Sequence, residues 1–506
     1  MAKDILFGKI AMDKMLKGFD TAYTAVSGTL GPKGKNVYLD DPLQPKITND
    51  GFTIAGHLRL ADKQEDAGAY VIRNITSQQN DDVGDGTTTV AVLAQAIIQE
   101  CLKRPESPLE IRQSLKSAEE KVLAILKKRS IVLKPEDVEK VALISSENTQ
   151  IAKLIAEIIQ KLGNDATVNI EDSKTFETNY EIVDGYKADV GFMSPHFITD
   201  KKSGKAIYSD VPILISEKKI ANISDIAPIF EMFKKEGINQ CVVVCDDIDD
   251  AILGLLVQNK LIGTFNSLVI RASTWLLQDI EGATGAKAVG NNSGVTFQTF
   301  KKEYLGWAKK VISTNNQTLF TTDGIASKQY AKMLEMQAEN EPNSYAAEKI
   351  RDRVAKLKGG LAVLKIGAAT DFERDYLRLK TEDSVKAVEA ALAEGIVLGS
   401  GMTFWLISQE LEGATIGLEI LKKALQAPLK KILENAGKDY IEIASTLNEN
   451  VGYDVKDGTF CDLLLEGIID PTKVERCALT NAVSAAGIFI TTHAILTERE
   501  DDKSGI

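Results

Sequence analysis

Apolar residues return every three or four positions from about residue 10 to 130 and again from about 400 to 495, as Val90, Leu93, Ala96 and Ile97 show. That spacing lines one face of a helix. Between about 165 and 300 the texture changes to short β-rich runs, Ala206-Ile207-Tyr208 and Val211-Pro212-Ile213-Leu214-Ile215 among them, interleaved with helices. The two helical ends resemble each other and flank the mixed middle. The expected organisation is one domain built from both termini, with others inserted into it. Glycines mark the joins: Gly185 after the strand-like Tyr180-Glu181-Ile182-Val183, Gly359-Gly360 before Leu361-Ala362-Val363-Leu364, and Gly395 after a helical stretch. Each alone is ordinary turn chemistry, and their arrangement at domain borders points to hinges.

A chain of 506 residues exceeds what one hydrophobic core organises and corresponds to about three domains. It is 44% hydrophobic and 26% charged, the usage of a folded water-soluble protein, and no apolar run reaches the length of a membrane span. The net charge of -12, from 60 basic and 72 acidic residues, repels phosphate backbones, so no nucleic-acid partner is expected. Five scattered cysteines (Cys101, Cys241, Cys245, Cys461, Cys477) do not form a disulfide framework. Cys241 and Cys245 share one face of an apolar strand and read as buried thiols. The start Met1-Ala2-Lys3-Asp4-Ile5 is unlike a targeting peptide, and the expected location is cytoplasmic. His57, His196 and His493 have no second ligand at metal spacing, and no Gly-x-Ser-x-Gly elbow is present.

The chemistry concentrates at Asp81-Asp82-Val83-Gly84-Asp85-Gly86-Thr87-Thr88-Thr89-Val90, which runs directly into an amphipathic helix. Glycines let the backbone approach a ligand, and three hydroxyls meet free amides at the positive end of the helix: a phosphate cradle. A plain cap needs one hydroxyl, not three in succession. Phosphate would repel Asp85 unless a cation lay between them, and Mg²⁺ shares its shell between carboxylate and phosphate oxygens. A second turn, Gly28-Thr29-Leu30-Gly31-Pro32-Lys33-Gly34-Lys35, could wrap nucleotide similarly, but its spacing and Asn36 exclude a Walker A loop. Ile47-Thr48-Asn49-Asp50-Gly51 reads as a hairpin turn. Lys380-Thr381-Glu382-Asp383-Ser384-Val385 reads as a helix start carrying a solvated acid.

Taken in order, Thr29-Leu30-Gly31-Pro32-Lys33-Gly34, Ile47-Thr48-Asn49-Asp50-Gly51, Gly84-Asp85-Gly86-Thr87-Thr88-Thr89, Val354-Ala355-Lys356-Leu357-Lys358-Gly359-Gly360 and Ile469-Asp470-Pro471-Thr472-Lys473-Val474 resemble the group I chaperonins, the GroEL type, with this chain a divergent member. The resemblance runs from Lys3 to about Glu498. It implies a multidomain α and α/β fold: a mostly helical equatorial ATP-binding domain (1–130 and 396–506), a small intermediate domain (131–184 and 361–395) and an α/β apical polypeptide-binding domain (185–360). It also implies an ATP-hydrolysing chaperonin of the protein-folding isomerase class, which binds non-native polypeptides and promotes their folding in the cavity of a heptameric homo-oligomeric ring, single or double. A GroES-type co-chaperonin lid would be its partner, and ATP, Mg²⁺ and a K⁺ ion its cofactors. The alternative is a paralogue acting as a binding or scaffolding ring with a weakened ATPase or co-chaperonin cycle.

Carried over by motif, Thr29, Leu30, Gly31 and Pro32 line the nucleotide, Asp85 holds Mg²⁺, Gly86, Thr87, Thr88 and Thr89 hold phosphates, and Asp50 and Asp383 orient the attacking water. Asn49 stands where the family has lysine, and Ser400 where a glycine approaches the ribose. Asp454, Val455 and Lys456 form an altered adenine-side loop, and Glu498 replaces an aspartate. Client binding falls to Phe192, His196 and Phe197 and to helices carrying Ala227, Phe230, Leu253, Val257 and Gln258. Lys430 and Asp439 occupy positions associated with ring–ring contacts, and the glycine-methionine tail is missing. The last residues, from Glu498 to Ile506, should be solvated.

Overall fold

The computed structural model describes residues 3–40, 46–164, 166–201, 203–291 and 293–498. The solvated tail beyond Glu498 lies outside them. The chain resolves into two compact units. One comprises Met1–Glu157, Asp172–Thr178 and Ile366–Ile506, and the other Ile158–Glu171 and Asn179–Lys365.

The first unit is a helical body. Helices Gly8–Ser27, Lys63–Val83, Thr87–Leu102, Pro108–Arg129 and Thr472–Thr491 enclose a core in which Phe19, Ile72, Leu93, Ile97, Ile98, Phe404 and Phe489 are all but inaccessible. Helices Gly8–Ser27 and Lys63–Val83 pack backbone to backbone, because a Cβ on Gly18 would stand 1.7 Å from the Glu65 carbonyl oxygen and one on Gly68 1.8 Å from that of Met15. Both chain ends enter this body. Phe19 meets Phe489 edge to face at 5.4 Å, and strand Lys3–Phe7 pairs antiparallel with Ala494–Glu498.

The second unit is built on a six-stranded sheet in the order Gly185–Ala188, Thr318–Thr321, Gly306–Ser313, Ala206–Ser216, Gln240–Cys245, Asn266–Arg271. The last three strands are parallel and connected by helices Ile223–Lys235 and Asp250–Ile262. Their sequences are near-continuous apolar runs because both faces are covered, and Cys241 to Cys245 are fully buried. The two runs expected at 206–208 and 211–215 are one strand. It continues through Asp210, which adopts φ +47° while Gln240 Nε2 donates to the Ser209 carbonyl at 2.7 Å.

Two local expectations change. Asp50 is not in a hairpin turn: it is the N-cap of helix Gly51–His57, its carboxylate accepting from Thr53 N at 2.8 Å and Phe52 N at 3.3 Å. The hairpin strands are Val37–Leu39 and Lys46–Thr48. Asp383 does not begin a helix. It lies in the middle of the 24-residue helix Asp371–Glu394, whose N-cap is Thr370.

Candidate functional site

The Thr29 turn, the Asp50 cap and the threonine helix converge in the helical unit. Asn435 Nδ2 donates to the carbonyls of Ser27 and Leu30, both at 2.9 Å, and so fixes the turn after helix Gly8–Ser27. Thr29 Oγ1 then lies 3.1 Å from Thr88 Oγ1. Asp50 reaches the same helix start through Gly51, where a Cβ would fall 2.6 Å from Thr88 Oγ1 and 3.0 Å from Thr87 Oγ1. Only glycine allows that approach. Helix Thr87–Leu102 has no side-chain cap, and its N-cap is Gly86 at φ +75°, so its first amides remain available to an anion.

Asp85 is held from three sides. Its Oδ1 accepts from Gly86 N at 2.6 Å and its Oδ2 from Ser145 Oγ at 3.1 Å, while Gln79 Nε2 donates to its carbonyl at 2.9 Å. Helix Asp371–Glu394 docks on helix Val138–Ser146, which carries Ser145: Ser384 Oγ donates to the Ala142 carbonyl at 2.8 Å and Lys380 pairs with Glu147 at 2.8 Å. That docking brings Asp383 into the electrostatic range of Asp50 and Asp85.

The carboxyls repel one another. Burial, and then the charges of Asp50 and Asp85, push the Asp383 carboxyl well above the usual carboxylate range, against the pull of Lys380 and Lys386. Burial also raises Asp85, with Asp50 adding to the shift, while the bonds from Gly86 and Ser145 oppose it. A group of acids in this condition gains from a cation. Among the described residues, no set of three or more His, Cys, Asp or Glu side chains is placed to hold a metal by itself, so an ion at Asp85 would complete its shell with phosphate or water oxygens.

The remaining expected residues divide. Leu30 and Val455 share one apolar cluster with Trp405, Leu429, Ile432 and Tyr453, so the Thr29 turn and the Asp454 loop form one wall. Asp454 Oδ1 accepts from Lys456 N at 2.7 Å and shapes that loop. Asn49 is half-buried beside Asp50, and Gly31 and Pro32 are exposed. Ser400 has φ +60°, a left-handed conformation suited to the glycine it replaces. Glu498 sits on the strand paired with Lys3–Phe7 and forms a 3.2 Å ion pair with Lys3.

Sequence reasoning passed over Asp470 and Glu475. Asp470 pairs across strands with Val397, and a Cβ on Gly399 would lie 3.2 Å from its Oδ1. Burial, then the charge of Asp85, raise its carboxyl to about 7. Asp470 stands in the 469–474 stretch that carries the family resemblance. An acid one residue before a proline, at the mouth of a helix, was the available signal.

In the second unit, Phe192 and Phe197 are corrections. Both belong to the core, Phe197 with no exposed surface, packed beneath Lys260 whose ammonium lies 5.6 Å from its ring centre. His196 is exposed. Phe230, Leu253 and Val257 are partly buried, Phe230 against Phe265 at 4.8 Å. The apolar side chains that helix Asp250–Ile262 presents to solvent are Leu255, Leu261 and Ile262.

This chain belongs to the TCP-1/cpn60 chaperonin family, whose model matches residues 23–500. It is a chaperonin, a protein that assists the folding of other polypeptides. Its fold is that of the chaperonin gp146 of bacteriophage EL 2 (Pseudomonas aeruginosa), crystallised in the presence of ATP-BeFx. One crystal form matches with a TM-score of 0.75 at 19% identity, covering 98% of this chain and 99% of gp146. A second form matches with a TM-score of 0.68 over the same shares. Among the described residues, no helix is long and apolar enough to cross a membrane.

Proposed function

We propose that the helical unit binds and hydrolyses ATP and that hydrolysis drives cycles of capture and release of non-native polypeptides by the second unit. The observation that carries this reading is the convergence of Thr29, Asp50, Asp85, Thr87, Thr88 and Asp383 at one uncapped helix start. The amides and hydroxyls of Gly86 to Thr89 bind the phosphates, and Leu30 with Val455 receives the base. Asp85 would hold Mg²⁺, which when bound neutralises charge on the phosphate oxygens. Asp50 and Asp383 hold the attacking water in line, and Asp383, its proton affinity raised by burial, can take a proton from it. K⁺ would be a further cation for the same acids.

The finer reading follows the three-domain division given above, with a heptameric ring, a GroES-type lid and classification as a protein-folding isomerase. Ser400 and Asn49 alter the fit of the nucleotide without touching the three acids. The deciding experiment measures refolding of a denatured test protein together with ATP turnover in wild type, Asp383→Ala and Asp85→Ala. Asp383→Ala should bind ATP with nearly unchanged affinity and hydrolyse it about 10²- to 10⁴-fold more slowly, whereas Asp85→Ala should lose Mg²⁺-dependent affinity. Equal loss of affinity and turnover in Asp383→Ala would overturn its role. Normal Mg²⁺-ATP binding in Asp85→Ala would overturn the cradle.

A further inference from the structure

Asp85 lies in the short link between two helices, where the backbone has little stiffness of its own. Helix Lys63–Val83 ends at Gly84 with φ +68°, and helix Thr87–Leu102 begins at Gly86 with φ +75° and no side-chain cap. Glycines in left-handed conformations on either side leave the Asp85 peptide free to turn. The bond that holds its carbonyl comes from Gln79, a fully buried residue of the first of these helices. Gln79 Nε2 donates to the Asp85 carbonyl at 2.9 Å and to the Val474 carbonyl at 3.2 Å. Its Oε1 accepts from Asn481 Nδ2 at 3.1 Å, and the same nitrogen donates to Asp82 Oδ2 at 3.3 Å. A carbonyl only accepts, so the Gln79 nitrogen must face Asp85 and Val474, and both of its hydrogens are spent there.

Val474 and Asn481 lie on one face of helix Thr472–Thr491, and the Gln79 amide bridges that face to the loop. The fit is close: a Cβ on Gly86 would fall 3.1 Å from Gln79 Nε2 and 2.7 Å from Val474 Cγ1. An apolar side chain at position 79 would fill this space but leave the Asp85 and Val474 carbonyls without their donor. We propose that Gln79 is a positioning residue for the nucleotide site, its amide oriented by Asn481: it fixes the Asp85 peptide and so aims the carboxylate that would hold Mg²⁺. This rests on the nucleotide reading given above. Gln79 acts through the Asp85 backbone and not through the ligand. Thr88 is held separately, by its 3.1 Å contact with Thr29, so the phosphate side of the site does not depend on Gln79.

Two variants test this in the full-length protein: Gln79→Met, which keeps the volume and loses the donor, and Asn481→Ala, which removes the bond that orients Gln79. Each is also combined with Asp85→Ala. The probe is Mg²⁺-ATP, titrated by calorimetry, and a second measurement is hydrogen exchange of the nucleotide-free protein. Gln79→Met should weaken Mg²⁺-ATP binding about 10-fold, the scale of one or two buried hydrogen bonds, and Asn481→Ala about threefold. Added to Asp85→Ala, neither should cost more than about twofold further, because the carboxylate that Gln79 aims is already gone. Exchange should quicken at residues 84–88 in both variants and stay as in wild type along helix Thr87–Leu102 beyond them. Unchanged affinity in Gln79→Met would overturn the proposal. The full loss on top of Asp85→Ala, or exchange quickened throughout the helical unit, would mean general loosening and would overturn it too. If Gln79→Met did not fold, Asn481→Ala would decide by the same measurements. Wild-type protein that did not bind Mg²⁺-ATP would instead remove the nucleotide reading on which the proposal stands.

Discussion

Leu261 and Ile262, on the last turn of helix Asp250–Ile262, leave 67% and 66% of their surfaces in water. Fully burying a Leu or Ile side chain contributes about 1.5–3 kcal/mol, so the two-thirds still exposed hold about 1–2 kcal/mol each. Ordering each side chain against a client costs about 0.5–1 kcal/mol, leaving about 1–2 kcal/mol for the pair in each subunit. At about 1.4 kcal/mol per tenfold, Leu261→Ser with Ile262→Ser should weaken capture of an unfolded chain about 5- to 30-fold. The same arithmetic does not apply to Ile252 and Leu256, which are 2% and 1% exposed. Substituting those two opens a core cavity and costs stability of about 2–5 kcal/mol each instead. The assay is equilibrium binding of a permanently unfolded, fluorescently labelled polypeptide, with ATP turnover in the absence of client as control. Wild-type capture by the double variant would refute the assignment of this face to clients, and lost turnover would show that the substitutions act beyond it.

Asp383→Asn should raise the melting temperature of the nucleotide-free protein at pH 8 while leaving it unchanged near pH 4. The folded state raises the Asp383 carboxyl, so its contribution to stability is complete below the unfolded value and is lost as pH rises through the folded one. Asparagine escapes that loss, and a melting-temperature difference that did not grow with pH would contradict the burial and repulsion assigned to this acid. Ser400→Gly should stabilise the protein by about 1 kcal/mol, since a left-handed conformation costs a non-glycine residue about 1–2 kcal/mol and glycine's extra unfolded freedom offsets part of it. Denaturant unfolding measures this, and a destabilised variant would mean that the Ser400 side chain makes a contact worth more than its strain.

The start of helix Thr87–Leu102 was legible because its signal is local: glycines that free the backbone, three hydroxyls in a row, and a helix that begins at once. Asp50 was misread from equally local evidence, since Asp-Gly serves a hairpin turn and an N-cap alike. What separates them is Thr53, whose amide and hydroxyl both reach the carboxylate, at 2.8 and 2.5 Å. Asp383 carries no local mark at all. It is one acid among several in a long helix, and its environment is made by Ser384 and Lys380 docking that helix on Val138–Ser146, with Ser384 and its partner Ala142 242 residues apart in sequence. Phe197 failed for the opposite reason. The resemblance placed it on a binding surface, whereas this chain buries it in the core under Lys260.

The same distinction explains why the site can hold so many acids. Asp50, Asp85, Asp383, Asp470 and Glu475 come from four separate segments, and no single segment reveals how much charge the fold gathers. A fold selected for stability alone would not bring them together, because burial and neighbouring charge destabilise the ionised forms of Asp85, Asp383, Asp470 and Glu475. Partial relief comes from fixed groups: the Gly86 amide and Ser145 hydroxyl on Asp85, and Lys380 and Lys386 near Asp383. What remains is repulsion that a bound cation can remove. On the function proposed above, affinity for a metal-nucleotide complex draws on strain already present in the folded chain. Neutralising Asp85 should therefore stabilise the empty protein and weaken its cation-dependent response to nucleotide together.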